Sequence, residues 1–176
     1  LEFRRVLFRS RNKQSGVLDT IIESNAITDV YHYLSSDDYH KDTLIIFDID
    51  NTIGHPPTSL ASDQWFYAKL DQIKKEGKTT QEAVDEILPI YFQVMSYTEL
   101  VPTEPTVVPL IKDLQKKGMT VIALTARSLG IAYRTAQQLH EMGISFLVNL
   151  PHEFPIAYEK GKPALYIDGI IFVDSH

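Results

Sequence analysis

Two aspartates stand where an apolar run ends. Asp48 and Asp50 follow the run Leu44–Phe47 and are separated by a single residue. Such a run is typical of a buried parallel strand, and ligands of open α/β sheets bind beyond the carboxyl ends of these strands. Side chains two apart in a strand point the same way, so both carboxylates are expected to face one crevice. The spacing therefore indicates a site for phosphoryl transfer.

The chemistry of the pair follows from its charge. Two carboxylates this close resist joint ionisation, and a bound Mg²⁺ relieves the repulsion while it neutralises an incoming phosphate. We therefore expect Asp48 and Asp50 to be the metal ligands. One carboxylate can act as the nucleophile, and the other can donate a proton and later activate water. The reaction would pass through an aspartyl-phosphate.

Two short segments carry a resemblance to a known family. Residues 47–52 read FDIDNT and resemble the D-x-D-x-T signature of the haloacid dehalogenase (HAD) superfamily. Residues 124–127 read LTAR and are similar to its second motif, an apolar strand that ends in Thr or Ser. The resemblance implies that Asp48 is the nucleophile, that Asp50 is the general acid and base, and that the cofactor is Mg²⁺.

The same resemblance implies a set of substrate-binding residues. Thr52 would help to orient Asp50, and the hydroxyl of Thr125 would hydrogen-bond a phosphate oxygen. The backbone N–H of Ala126 would stabilise developing charge beside it, and Arg127 is a further candidate for the phosphate. More narrowly, the run from Thr43 to Ser175 resembles an uncharacterised bacterial branch of these hydrolases, a domain of unknown function.

The fold class that the resemblance implies is α/β, a Rossmann-like three-layer α/β/α core with a parallel sheet and a small helical cap insertion. The residue pattern agrees with a βαβαβ order. After the first strand, we expect strands at residues 119–124 and 144–148, with helices at 105–117 and 128–142. Parallel strands with right-handed crossovers would place Thr125 at the same edge of the sheet as Asp48. An Asp168-Gly169 pair between two apolar runs predicts a hairpin turn.

Three segments are distinguished along the chain. Residues 1–13 are predicted to be a non-native or disordered tail, because residues 5–10 resemble a translated sequencing adapter. Residues 14–53 and 106–176 are predicted to form the HAD-like core, with a helical lead-in from Val17.

The remaining segment, residues 54–105, is predicted to be the helical cap insertion, since it is too long for a simple connection. It holds two helical patterns, at residues 63–76 and 80–97. Trp65 and Tyr67 are candidates for substrate contact, and packing between the two helices is the alternative for the cap aromatics. His55 is a further candidate for substrate contact.

The resemblance weakens towards the end of the chain. The family also uses a lysine that holds the nucleophile and an acidic residue that completes the metal site. Lys160 and Lys162 lie in a stretch with Gly and Pro that favours a loop, and Asp174 is interpreted as a hairpin-end residue. We therefore expect the lysine and the third metal carboxylate beyond His176, and the isolated chain to be inactive.

Composition bounds the remaining classes of function. The chain has 176 residues, 44% of them hydrophobic, and no cysteine, which excludes disulfides, thiolate catalysis and Cys-ligated zinc. Its net charge is −6; residues 1–13 hold five basic residues and one acidic, so the remainder has 12 basic against 22 acidic, or −10. Such a surface repels nucleic acid. No apolar run reaches the length of a membrane span. The sequence assigns neither a compartment nor an oligomeric state. Any export signal is expected to have been lost with the native N-terminus.

These observations predict a Mg²⁺-dependent phosphatase or phosphohydrolase that acts through an aspartyl-phosphate on an unknown phosphorylated substrate. One alternative is a phosphotransferase of the same family, which passes the phosphoryl group to an acceptor other than water. Another is a catalytically inactive HAD-like module that binds a phosphorylated ligand or a protein partner.

Overall fold

The computed structural model describes residues 4–10, 18–31, 43–147, 153–157 and 163–173. The chain forms two compact units, Leu1–Tyr39 and His40–His176. The residues that carry the candidate chemistry all belong to the second unit.

The first unit is built on an antiparallel hairpin. Strand β1 (Arg4–Ser10) pairs with strand β2 (Leu18–Ser24), and a 3₁₀ turn at Ile27–Asp29 follows. The expectation of disorder is therefore wrong for Arg4–Ser10, whereas the alternative that residues 1–13 are non-native stays a prediction. The helical lead-in from Val17 is wrong for Leu18–Ser24. Both segments are rich in β-branched and large apolar residues, which favour strands once a partner strand supplies the hydrogen bonds.

The second unit combines a mixed five-stranded sheet with four helices, as an α/β fold. In chain order, the elements are β3 (Leu44–Asp48), β4 (Gly54–His55), α1 (Asp63–Lys75), α2 (Thr80–Tyr97), β5 (Val101–Pro102), α3 (Val107–Lys116), β6 (Thr120–Thr125), α4 (Ala132–Glu141), β7 (Glu153–Ala157), β8 (Pro163–Ile167) and β9 (Ile170–Val173). The sheet order is β3-β6-β9-β8-β7. The first three strands are parallel, and β8 and β7 are added antiparallel.

Most of the expected elements are present. Strands β3 and β6, the two cap helices and the two core helices are confirmed within a few residues of the expected bounds. Gly118 and Gly143 follow the ends of α3 and α4 with φ of 82° and 89°, which is the left-handed conformation of a helix C-terminus. The sequence pattern therefore located these six elements correctly.

The expected third strand at residues 144–148 is not found in its described part. Residues 144–147 form no strand, although Ile144 and Phe146 are buried. The place beside β6 is taken by β9, whose Ile170 and Phe172 pair with Ala123 and Thr125. Burial in a loop produced the apolar signal that was interpreted as a strand, because periodicity alone does not separate the two in so short a run.

The two faces of the sheet differ in coverage. Paired residues of parallel strands share a face, and Phe47, Ala123 and Phe172, which lie on one face, are each at most 3% exposed. On the opposite face, Leu44 is 54% and Ile46 47% exposed. Leu124 on that face is also exposed, whereas the more central Ile122 is buried. Within the described residues, one face of the sheet is therefore covered more completely than the other, and the three-layer arrangement stays a prediction.

The hairpin between β8 and β9 is confirmed. Asp168 and Gly169 form its turn with φ of 52° and 79°, as a type I′ turn requires. Because Ile170 pairs with Ala123 in parallel register, this turn lies at the edge of the sheet opposite to Asp48. Asp168 is thus a turn residue, as expected.

The cap, residues 54–105, is a pair of packed helices on a short ribbon. Strands β4 and β5 pair antiparallel where the chain enters and leaves the cap. Helices α1 and α2 share a small buried cluster of Leu70, Ala83 and Ile87. Within the described ranges, no helix combines the length and apolar character that a bilayer crossing needs.

Candidate active site

A tight loop after β3 fixes the two aspartates. The carbonyl oxygen of Ile49 accepts hydrogen bonds from the backbone N–H groups of Ile53 and Gly54, at 3.1 and 3.0 Å. Asn51 adopts a φ of 58°, which asparagine tolerates better than most residues. The chain thereby reverses just beyond the sheet and leaves Asp48 exposed and Asp50 half-buried at its edge.

Asp48 combines exposure with an unfavourable electrostatic surrounding. Burial of part of its carboxylate raises the pKa of Asp48 above its usual value, and repulsion by Asp50 adds to the rise. A hydrogen bond from Thr52 Oγ1 to Asp48 Oδ2, at 3.0 Å, opposes it. The hydroxyl of Thr52 therefore bonds Asp48, whereas the resemblance implied that it would orient Asp50. The tight loop turns this hydroxyl back towards the end of β3.

Asp50 is held by an arginine from the second motif. Arg127 Nε donates to Asp50 Oδ2 at 3.0 Å and Nη2 donates to Oδ1 at 2.7 Å. Paired bonds of this kind are among the stronger hydrogen bonds in proteins and fix the plane of the carboxylate. Only 2% of the Arg127 side chain is exposed, against 29% for Asp50. The structure thus places Arg127 behind Asp50, whereas it was expected on the substrate phosphate.

Two further residues, both on α4, complete the surroundings of Arg127. Its Nη1 donates to Thr135 Oγ1 at 3.2 Å and to Gln138 Oε1 at 2.9 Å. Both partners are buried. Sequence reasoning missed them, although a signal exists: they lie at helical spacing from Ala132 and Leu139 on the buried side of α4. Polar residues on a buried face need buried partners.

Thr125 and Ala126 lie at the edge where they were expected. Asp48 pairs in register with Leu124, so Thr125 is the next residue along the neighbouring strand. The Thr125 side chain is 1% exposed, and its hydroxyl oxygen accepts from the backbone N–H of Arg127 at 3.2 Å. Its observed contact is therefore with the turn that carries Arg127, while Ala126 is exposed.

The cap is connected to the aspartate loop by a carboxylate of its own. Asp63, in the first turn of α1, accepts from Asn51 Nδ2 at 2.7 Å and from the Tyr91 hydroxyl at 3.2 Å. Burial raises the pKa of Tyr91, and the carboxylates of Asp63 and Asp50 raise it further. Tyr91 therefore remains a proton donor, and α2 lies close enough to Asp50 to sense its charge.

The observed contacts of the other cap residues that were named from the sequence are with residues of the cap itself. Trp65 stacks on Tyr91 with ring centroids 6.3 Å apart and packs against the buried cluster of the cap. Tyr67 is 61% exposed and meets the edge of Phe66. His55 Nδ1 lies 2.8 Å from the carbonyl oxygen of Pro56. Packing within the cap thus accounts for the observed contacts of Trp65.

The donor set at this edge suits a hard cation. Asp48 and Asp50 supply two carboxylates, and Mg²⁺ is commonly bound by one or two carboxylates with water and substrate phosphate completing its shell. Among the residues that the structure describes, no cluster of three or more His, Cys, Asp or Glu side chains could hold a metal. Lys160, Lys162 and Asp174 lie outside the described residues.

Three chlamydial proteins are similar to this chain, each described as "Putative outer membrane protein". The Chlamydia pneumoniae protein is 27% identical over 129 residues, which cover 73% of this chain and 48% of the relative. The Chlamydia trachomatis serovar D protein is 27% identical, with 69% and 48% covered. The Chlamydia muridarum protein is 26% identical, with 74% and 52% covered. The chain spans about half the length of these curated relatives.

No solved structure matches the chain. A family profile described as "Protein of unknown function (DUF2608)" matches residues 23–176, which include the aspartate loop, the cap and both core helices. The chain therefore belongs to the DUF2608 family.

Proposed function

We propose that this chain carries the catalytic carboxylates of a HAD-like, Mg²⁺-dependent phosphohydrolase with a Rossmann-like core. One observation carries the proposal. An exposed carboxylate, Asp48, ends a parallel strand beside a second carboxylate, Asp50, which a buried arginine holds in a fixed plane. Such an arrangement presents a nucleophile and a neighbouring proton carrier to the same solvent-accessible edge.

The reaction has two steps. An Oδ atom of Asp48 attacks the phosphorus, the bond from phosphorus to the leaving oxygen breaks, and Asp50 gives that oxygen a proton. Water then attacks the phosphorus, Asp50 takes a proton from it, and the bond between phosphorus and Asp48 breaks to release phosphate. Bound at Asp48 and Asp50, Mg²⁺ would offset the negative charge of the phosphate and of the two carboxylates.

Charge balance supports a requirement for the metal. Asp48 and Asp50 bring two carboxylates to the site, and among the described residues Arg127 is the basic group whose charge lowers the pKa of Asp48. Arg127 is already paired with Asp50. A dianionic phosphate ester would therefore meet net negative charge unless a cation accompanied it.

The description of the three relatives names a location and no reaction. It supplies no substrate and opposes none, so the proposal rests on the geometry of the aspartate loop. Because the match covers only about half of each of these relatives, the reaction is proposed for the full-length protein.

Hydrolysis of a generic aryl phosphate by the full-length protein tests the proposal. We expect Asp48→Asn to abolish Mg²⁺-dependent hydrolysis, because the nucleophile is lost, and Asp50→Asn to lower kcat by about 100-fold or more, because the proton carrier is lost. Asp71→Asn, an exposed residue of α1, is the matched control and should retain activity. Wild-type activity in Asp48→Asn would refute the assignment.

Metal dependence provides a second test. Binding of orthovanadate, a phosphate analogue, should require Mg²⁺ and disappear in excess chelator, because the cation links the carboxylates to the anion. Calorimetric titration with and without chelator measures this. Equal affinity under both conditions would exclude the metal from the site.

A further inference from the structure

An amide side chain of the core, that of Gln138, bonds the buried end of the cap. Gln138 Nε2 donates to the carbonyl oxygens of Met95, at 2.8 Å, and of Thr98. Met95 is in the last turn of α2, and Thr98 is its C-cap. The carbonyl oxygen of Met95 also accepts from the backbone N–H of Thr98 at 3.3 Å, so the buried Gln138 amide adds a second donor at this helix end, where carbonyl groups have few partners within the helix.

The same amide also contacts the arginine that holds Asp50. Its oxygen accepts from Arg127 Nη1 at 2.9 Å, while its nitrogen faces the two cap carbonyls. Reversing the amide would set its NH₂ group against the guanidinium and its oxygen against two carbonyl oxygens. Only one orientation therefore satisfies all partners, and the side chain is 2% exposed.

We propose that Gln138 is a positioning residue that makes the position of the cap and the orientation of Asp50 change together. The path runs from the end of α2 through the Gln138 amide to the Arg127 guanidinium and on to both oxygens of Asp50. Every step is a hydrogen bond between buried or half-buried groups, where loss of one partner leaves the other unsatisfied. The functional part of this inference rests on the proposed phosphohydrolase.

A second contact separates this coupling from simple attachment of the cap. Arg134 Nε donates to the carbonyl oxygen of Ser96 at 2.8 Å, and its Nη1 pairs with Glu141. Arg134 thus fastens the same turn of α2 without any bond to Asp50 among the described residues. It provides a comparison in which attachment is weakened but the path to Asp50 is left intact.

The first experiment removes the amide in the full-length protein. Gln138→Met preserves volume and deletes both sets of bonds. We expect hydrogen exchange at the amides of Thr98 and Thr103, where the chain leaves the cap, to accelerate about tenfold. The NMR signal of the Arg127 Nε–H, which bonds Asp50 and not Gln138, should lose protection as well. Gln115→Met, whose amide donates to the carbonyl oxygen of Ser145 at 2.7 Å on the surface, should change neither.

A faster Thr98 amide with an unchanged Arg127 signal would show that Gln138 only anchors the cap, and would overturn the proposal. Wild-type exchange at both reporters would overturn it too. Arg134→Lys should accelerate the cap amides and leave the Arg127 signal unchanged.

The reciprocal experiment perturbs Arg127, at the Asp50 end of the hydrogen-bonded path. Arg127→Lys keeps the positive charge but loses the planar guanidinium with its paired N–H donors. The side-chain partners of Arg127 are Asp50, Thr135 and Gln138, and none of them lies in the cap. We expect about tenfold faster exchange at Thr98, transmitted through Gln138, because coupling between sites is reciprocal. Exchange at the wild-type rate would exclude coupling.

These reporters need no substrate, so they remain informative even if Asp48→Asn shows that the protein is not a phosphohydrolase. If it is one, Gln138→Met should lower kcat about tenfold and leave KM within about twofold, since the amide acts on Asp50 and not on substrate. A change confined to KM would instead place Gln138 in substrate binding.

Discussion

The ionised carboxylate of Asp48 opposes folding. A carboxylate whose pKa is raised in the folded protein binds protons more tightly there than in the unfolded chain, so stability falls as pH rises from the unfolded value of 3.8 through the folded value. Above the folded pKa of Asp48, the ionised carboxylate lowers the free energy of unfolding by its full amount. Below 3.8, this loss of stability is absent. The ionised form of Asp48 is thus a cost to stability, which is what the proposed nucleophile would impose on the fold.

The corresponding prediction concerns Asp48→Asn. We expect the variant to be more stable than wild type at pH 7, because a neutral amide avoids the cost of the ionised form, and the gain to vanish near pH 3. Urea unfolding at both pH values measures the difference. An equal gain in the free energy of unfolding at pH 7 and near pH 3 would mean that the charge of Asp48 is not the cause.

The Arg127 ion pair is the second feature at this scale. Arg127→Met leaves Asp50, Thr135 and Gln138 without a donor, and we expect a loss of about 2–3 kcal/mol in the free energy of unfolding. Combined with Asp50→Asn, the loss should be smaller than the sum of the single losses by about 1 kcal/mol, since both remove the same bonds. Strict additivity in urea unfolding would contradict a direct pair.

At the scale of elements, the turn between β8 and β9 is the most sharply constrained. A Cβ added to Gly169 would lie 2.4 Å from Phe146 Cβ and 2.5 Å from its carbonyl oxygen, and φ is 79°. Neither the backbone of the buried loop nor the turn can move freely. Close packing and left-handed backbone thus act on the same residue.

Gly169→Ala should therefore cost about 3 kcal/mol or more, because both effects add. Gly118→Ala is the matched control: its φ is 82°, and nothing lies within 4 Å of the added Cβ. We expect it to cost about 1 kcal/mol, the backbone part alone. Equal losses in thermal unfolding would show that the contact with Phe146 has no energetic weight.

Elements differ in how well the sequence predicts them. The cap helices were predictable because their caps and apolar spacing are local, with Thr79 and Glu82 forming a reciprocal capping box at the start of α2. The place of β9 was not, since its pairing with β6 joins residues distant in sequence. The β1–β2 hairpin is local, and it was missed because residues 1–13 were interpreted as a non-native or disordered tail. In the site, Asp48 and Asp50 were predictable from spacing, whereas the bond from Arg127 to Asp50 spans 77 positions and is set by the fold.

For the whole molecule, the notable property is the unequal coverage of the sheet. Leu44 and Ile46 are exposed on one face, whereas Val121 on the other is 3% exposed. The hydrophobic contribution to folding therefore comes mainly from the face that carries Phe47.

In the 176-residue chain, Ile46→Thr should change the free energy of unfolding by less than about 0.5 kcal/mol, as is usual for exposed positions. Val121→Thr, which keeps the shape but buries a hydroxyl, should cost about 1–3 kcal/mol. Repeating Ile46→Thr in the full-length protein shows whether that face is buried there. A large loss already in the 176-residue chain would contradict the observed exposure.

The hydrogen bonds from α4 to the end of α2 also limit whether the cap can be replaced by the cap of another protein. A chimera that replaced residues 54–105 with a foreign pair of helices would leave the Gln138 amide facing carbonyl groups in the wrong places. An unsatisfied buried amide costs about 1–3 kcal/mol, so such a graft would weaken the recipient before any substrate was offered. Transplantation would succeed best when α4 travelled together with the insertion it fastens.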